Sequence, residues 1–123
     1  MLVVEDDHGV RLLLVRVLEA AGAEVTAVET LSAADKALAA VMPDVVVSDL
    51  ELRNGEGFRL LRQMRARSAG HGRAIPVVAI SGVLDRAEIP PILAAGVAAV
   101  VLKPFEPREL VAVAAGAAHG PGA

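Results

Sequence analysis

Apolar residues fall along this chain in five short runs, separated by longer stretches in which they return once per helical turn. Met1 to Val4 is apolar and stops at Glu5, Asp6 and Asp7, so it reads as a first buried strand. From His8 to Ala21, Val10, Leu13, Leu14, Val17 and Leu18 recur at helical spacing, and Gly22 stops the helix. Ala23 to Glu29 alternates as a strand does. Thr30 or Ser32 can cap a second helix carrying Leu31, Ala34, Leu38 and Val41, which Pro43 closes. Val45 to Ser48 is a β-branched run with the character of a central strand buried on both faces, and Asp49 ends it. A turn-rich loop, Leu50 to Gly55, then leads to a helix with Phe58, Leu61 and Met64 on one side, running to about Arg67. Ser68 to Arg73 reads as a polar loop containing glycine.

Val77 to Ile80 is a further buried run, ended by Ser81 and Gly82. Pro90 and Pro91 lie in the middle of the next helical stretch, Val83 to Ala95. Proline is tolerated in a first turn but costs ~3 kcal/mol in a helix interior, so the regular helix is predicted to begin near Pro90. Gly96 ends it, and Ala98 to Leu102 is the last strand, ended by Lys103, Pro104 and Phe105. A final helix from about Glu106 carries Leu110, Val111 and Val113. One domain over residues 1–117 and a disordered tail over 118–123 complete the expectation. Phe105, Met42 and Met64 are expected in the core. Five strands alternating with five helices define an α/β fold with a parallel sheet, right-handed crossovers and helices on both faces.

Composition narrows the function. At 123 residues the chain can bury roughly two thirds of its unfolded surface, so it needs no staples. It has no Cys, hence no disulfide and no thiolate metal site, which fits a reducing, cytoplasmic setting. No apolar run approaches the ~20 residues of a membrane span, and no signal peptide opens the chain, so a soluble protein is expected. A net charge of −3 without any Lys/Arg run argues against nucleic acid as a partner. The arginines of the third helix, Arg59, Arg62, Arg65 and Arg67, read as its wet side, and His8, His71 and His119 show no ligand spacing. Only two lysines are present, Lys36 and Lys103, so the position of Lys103 at a strand end is notable.

Four strands finish in polar residues: Glu5/Asp6, Asp49, Ser81 and Lys103. The gaps between them each allow a complete crossover, which brings all four to one sheet edge, where open α/β sheets bind ligands. Clustered carboxylates disfavour joint ionisation, and a divalent cation relieves that cost. Oxygen ligands without His or Cys suit a hard ion, and an incomplete set that leaves room for water and a phosphoryl oxygen suits Mg²⁺. With metal on one side and Lys103 on the other, Asp49 faces positive charge that would stabilise a transferring phosphoryl group, and a carboxylate can accept that group covalently. Asp7 reads instead as the cap of the following helix.

The run LVVEDD, the strand VVVSDL followed by Gly57, the run VVAISG, and VVLKPF preceded by Gly96 together resemble a response-regulator receiver domain of two-component signalling, from Leu2 to about Gly116. The resemblance implies a doubly wound, flavodoxin-like five-stranded sheet of order 2-1-3-4-5. It implies Asp49 as phosphoacceptor, served by the phosphohistidine of a sensor histidine kinase or of a histidine phosphotransfer protein. It implies Asp6 as a direct Mg²⁺ ligand, Glu5 acting through water, and Asp49 and the backbone carbonyl of Glu51 completing the protein ligands. Ser81 would hydrogen-bond the phosphoryl group and Lys103 would pair with it, and the Lys103-Pro104 bond would be cis. The protein would not be an enzyme beyond forming and losing its own aspartyl phosphate.

Several positions depart from the family's pattern. Arg53 replaces a usual proline, predicting a looser loop, and Glu51 adds a carboxylate two residues past Asp49, predicting altered metal affinity and phosphate lifetime. Val100 stands where many receivers carry Tyr or Phe, and Pro90-Pro91 interrupts the fourth helix, so the usual readout face is not expected to work in the usual way. With no DNA-binding or catalytic domain following, output through protein contact is expected, either as a stand-alone receiver or as the receiver end of a hybrid kinase. Two other functions compete: a receiver-like interaction module independent of phosphate, and a haloacid-dehalogenase-type phosphohydrolase, whose paired acids Asp49-Leu50-Glu51 imitates.

Overall fold

The computed structural model describes residues 1–52, 56–71, 75–82 and 86–119, and the five apolar runs form one parallel sheet. The strands are β1 (Leu2–Val4), β2 (Thr26–Val28), β3 (Val46–Asp49), β4 (Val77–Ser81) and β5 (Ala99–Leu102). The helices are α1 (His8–Ala20), α2 (Leu31–Ala40), α3 (Glu56–His71), α4 (Ile89–Ala94) and α5 (Pro107–His119). Sheet order is β2-β1-β3-β4-β5, so the winding reverses beside β1, as expected of a doubly wound α/β domain.

Strand side chains alternate between two cores. Val3, Val45, Val47, Val78, Ile80 and Val101 pack with Leu14 and Leu18 of α1 and Leu110 and Ala114 of α5. Leu2, Val4, Val46, Val77 and Ala79 face the other way, against residues of α2, α3 and α4 such as Leu38, Leu60, Met64 and Ile92. Both faces of β1, β3 and β4 are therefore dry, which is why these strands read as unbroken apolar runs rather than as alternation. Each fully buried Val or Leu contributes on the order of 1.5–3 kcal/mol.

Local signals place the ends. The Asp7 side chain accepts the Val10 N–H at 2.9 Å and caps α1, and Thr30, rather than Ser32, caps α2 by accepting from Ala33 at 3.1 Å. A 3-10 turn, Arg86–Glu88, precedes α4, and Pro90 and Pro91 fall in the first turn of α4, where their missing N–H groups cost nothing. Gly96 closes α4 with φ +113°, a conformation other residues rarely adopt. The Lys103-Pro104 bond is cis.

Several expectations are corrected. Phe58 is 47% exposed; the buried stripe of α3 is Leu60, Leu61 and Met64, and Phe58 lies off it. Leu13 is likewise exposed because Leu14 and Leu18, one turn apart, take the inner side of α1. Val41 and Met42 are exposed, since the chain leaves the helix at Val41, whose backbone is already extended. α3 runs through 68–71, where a loop was expected: Gly70 costs only about 1 kcal/mol relative to Ala, too little to stop a helix anchored by its earlier turns. β2 is an edge strand of three residues, shorter than the alternation from Ala23 to Glu29. α5 continues through His119, two residues past the expected boundary. Met64 is buried, and Phe105 packs partly buried against the α1/α5 core, as does Val100 against the other. The loop at Arg53 and the tail 120–123 lie outside the described residues.

Candidate functional site

Strand register assembles the site. Val4 of β1 is paired with Ser48 of β3, so Glu5 and Asp49, the next residues of each chain segment, emerge side by side. Ser81 of β4 is paired with Leu102 of β5, so Lys103 follows beside it, and the Lys103 N–H donates to the Ser81 carbonyl at 2.8 Å. All four expected residues thus stand at the carboxyl edge, Glu5 and Asp49 at the crevice between β1 and β3 where the winding reverses, and Ser81 and Lys103 at the neighbouring ends of β4 and β5. Glu5, Asp49 and Ser81 are buried, Asp6 is half-buried, and Lys103 reaches in from the rim.

The Lys103 Nζ lies 3.3 Å from Glu5 Oε1 and 3.3 Å from Asp49 Oδ2. Burial disfavours its charge, but the Asp49 and Glu5 carboxylates outweigh burial and raise its pKa. Glu5 is pushed up to about 8, first by burial and then by the adjoining Asp49 carboxylate, with Lys103 pulling the other way. Its Oε2 is buried without a hydrogen-bond partner. Oxygens of Glu5, Asp6 and Asp49 lie within 4.8 Å of one another. A buried carboxylate oxygen with no partner, in an all-oxygen cluster, has the chemistry a hard divalent cation satisfies. Arg11 steadies the acidic segment by donating to the Glu5 carbonyl at 3.0 Å.

On the other side of Asp49, the Glu51 N–H donates to Asp49 Oδ1 at 2.8 Å, while the Glu51 side chain turns to β4. There its Oε1 accepts the Ser81 hydroxyl at 2.8 Å and the Gly82 N–H. One structural glycine, Gly57, completes the site. A Cβ on Gly57 would fall 2.7 Å from the Asp49 carbonyl oxygen and 2.8 Å from Leu50 backbone atoms, so α3 can start this close to the end of β3 only with glycine. The Gly82 donor was not singled out from sequence; its place directly after the hydroxyl residue of the β4 run was the available signal. A cavity of about 650 Å³ opens at the opposite edge of the sheet, near Met1, Gly22 and Pro43, and includes none of these groups.

An open, doubly wound α/β domain with an acidic cleft at its switch point is the class that fold and site define. The chain belongs to the response regulator receiver domain family, whose family model matches residues 1–115. It is 33% identical over 112 residues to the DNA-binding response regulator MtrA of Mycolicibacterium smegmatis, covering 91% of this chain and 47% of that protein. It is also 33% identical to the KDP operon transcriptional regulatory protein KdpE of Escherichia coli, covering 91% of this chain and 48% of that protein. The crystal structure of the NtrX receiver domain from Brucella abortus superposes with a TM-score of 0.86 at 26% identity, covering 98% of both chains.

The chain spans about half the length of the curated relatives it matches. This overturns the expectation that nucleic acid is no partner. That expectation rested on the missing basic face of this domain, yet MtrA is a DNA-binding protein. A receiver need carry no basic face for the regulator that contains it to bind DNA. Family membership also leaves the dehalogenase alternative without support. Among the described residues no helix is long and apolar enough to cross a membrane.

Proposed function

We propose that this receiver domain works by Mg²⁺-dependent phosphorylation of Asp49, with a sensor kinase phosphohistidine, or that of a histidine phosphotransfer protein, as donor. The observation that carries this reading is the Lys103 ammonium held 3.3 Å from both Glu5 and Asp49 beside a buried, unpartnered Glu5 oxygen. Glu5, Asp6, Asp49 and the Glu51 backbone carbonyl would hold the ion, which would neutralise charge on the transferring group. An Asp49 carboxylate oxygen forms a bond to phosphorus as the donor P–N bond breaks, and the electron pair stays on the imidazole nitrogen, which takes a proton. Lys103 stabilises the added negative charge, and Ser81 supplies a hydroxyl donor at its edge. A cytoplasmic location goes with such a donor.

The test is incubation with acetyl phosphate and Mg²⁺ followed by intact-protein mass spectrometry. One added phosphoryl group is expected for the wild type and none for Asp49→Asn. No gain, or a gain that persists in Asp49→Asn, refutes the reading and favours an interaction module independent of phosphate. By analogy with MtrA, the regulator that uses such a domain is proposed to pass the signal to DNA.

A further inference from the structure

Ser81 and Gly82 aim two donors, a hydroxyl and a backbone N–H, at a single atom, Glu51 Oε1, and Asp49 is paired across the sheet with Ile80, the residue before Ser81. A Cβ built on Gly82 would lie 3.7 Å from that oxygen and 3.6 Å from the Lys103 side chain, so the Glu51 carboxylate and the Lys103 stem flank the same glycine. An anion already occupies the donor pair at the sheet edge that carries Asp49. The residue that supplies it also ties Asp49 Oδ1 through its own backbone N–H, which any substitution of its side chain leaves in place.

We propose that the Glu51 side chain is an internal stand-in for the phosphoryl group, a latch that holds the Ser81 and Gly82 donors until phosphorylation displaces it. This rests on the receiver reading of Asp49. A phosphoryl dianion arriving on Asp49 competes for the same two donors and repels the carboxylate that holds them. The Glu51 side chain is at the surface, so it can swing into solvent once released. Glu51 is therefore a positioning residue acting through Ser81 and Gly82. Its effect is to lower the apparent affinity of the site for a phosphoryl group by the fraction of time the donors are free.

The probe is beryllium fluoride with Mg²⁺, a non-covalent phosphoryl analogue, titrated by fluorine NMR while the Gly82 amide is followed by nitrogen-resolved NMR. If the donors are held about nine-tenths of the time, Glu51→Ala binds the probe about tenfold more tightly than wild type. Glu51→Asp keeps the charge but is one methylene too short to reach both donors, so it should match Glu51→Ala. Glu51→Gln keeps the reach with a weaker acceptor and should fall between. Before probe is added, the Gly82 amide resonance should shift in Glu51→Ala and Glu51→Asp and stay near its wild-type position in Glu51→Gln. Equal probe affinity in all four proteins overturns the latch, and so does Glu51→Asp matching wild type while Glu51→Ala tightens, since that pattern is charge alone. Wild type binding no better than Asp49→Asn is a different pattern: it overturns the receiver reading itself and the latch with it.

Discussion

Replacing Glu5 with Gln tests the electrostatics of the cleft most directly. Glu5 is fully buried, touches a second carboxylate, and titrates near 8 where an unfolded glutamate titrates near 4.5. Because the folded state holds this proton more tightly than the unfolded state, its contribution to stability is intact below about 4.5 and declines as pH rises towards 8. At pH 7 the unfolded side chain has released its proton while most of the folded one retains it, across a gap of about 2.5 pH units. At about 1.4 kcal/mol per unit, that costs the metal-free protein roughly 3 kcal/mol. Gln matches the protonated side chain in shape and never ionises. Glu5→Gln should therefore be more stable than wild type by about 3 kcal/mol at neutral pH, or roughly 10 °C in Tm for a domain of this size, and the advantage should fade towards pH 4.5. Millimolar Mg²⁺ should raise the wild-type Tm at high pH and raise that of the variant by less, because the variant keeps Asp6 and Asp49 but lacks the Glu5 charge. Thermal unfolding followed by circular dichroism across this pH range, with chelator and with Mg²⁺, reads each quantity. Parallel pH profiles for the two proteins, or a variant less stable at neutral pH, would refute the reasoning.

Lys103→Met leaves Glu5 and Asp49 facing each other without a cation. It should cost about 3 kcal/mol in urea unfolding at high pH and less in acid, where Glu5 is neutral. Gly57→Ala drives a methyl into backbone atoms 2.7–2.8 Å away, so the β3–α3 junction must shift. A loss of about 1–3 kcal/mol together with slower labelling by acetyl phosphate is expected, and unchanged labelling would show that the junction does not position Asp49. The facing of α1 is checked by a pair of variants: Leu14→Ala should cost about 2–5 kcal/mol and Leu13→Ala within about 0.5 kcal/mol.

β1, β3 and β4 and the residues that end them were legible because a strand buried on both faces reads as a short unbroken apolar run, and because each crossover has a minimum span; the edge strand β2 alternates instead, and its length was not legible. Thus Glu5, Asp49, Ser81 and Lys103 could be assigned to one edge before any distance was known. The proline-initiated α4 was legible for a local reason too, since proline has one tolerated place in a helix. Helix facing was less so. Phe58, Leu13, Val41 and Met42 are as apolar as their buried neighbours, and only the position of the sheet decides which of them turns inward.

Residue identity alone therefore determined the alternation of elements, the parallel sheet and the chemical character of its carboxyl edge, all of which follow from local periodicity and chain length. The tertiary structure decided what each of those groups touches. It set the shared Lys103 contact, the unpartnered Glu5 oxygen and the reach of Glu51 to Ser81 and Gly82. These depend on interstrand register and on the path of a loop, and pairing between residues 30 or more apart leaves no periodic trace in the order of amino acids.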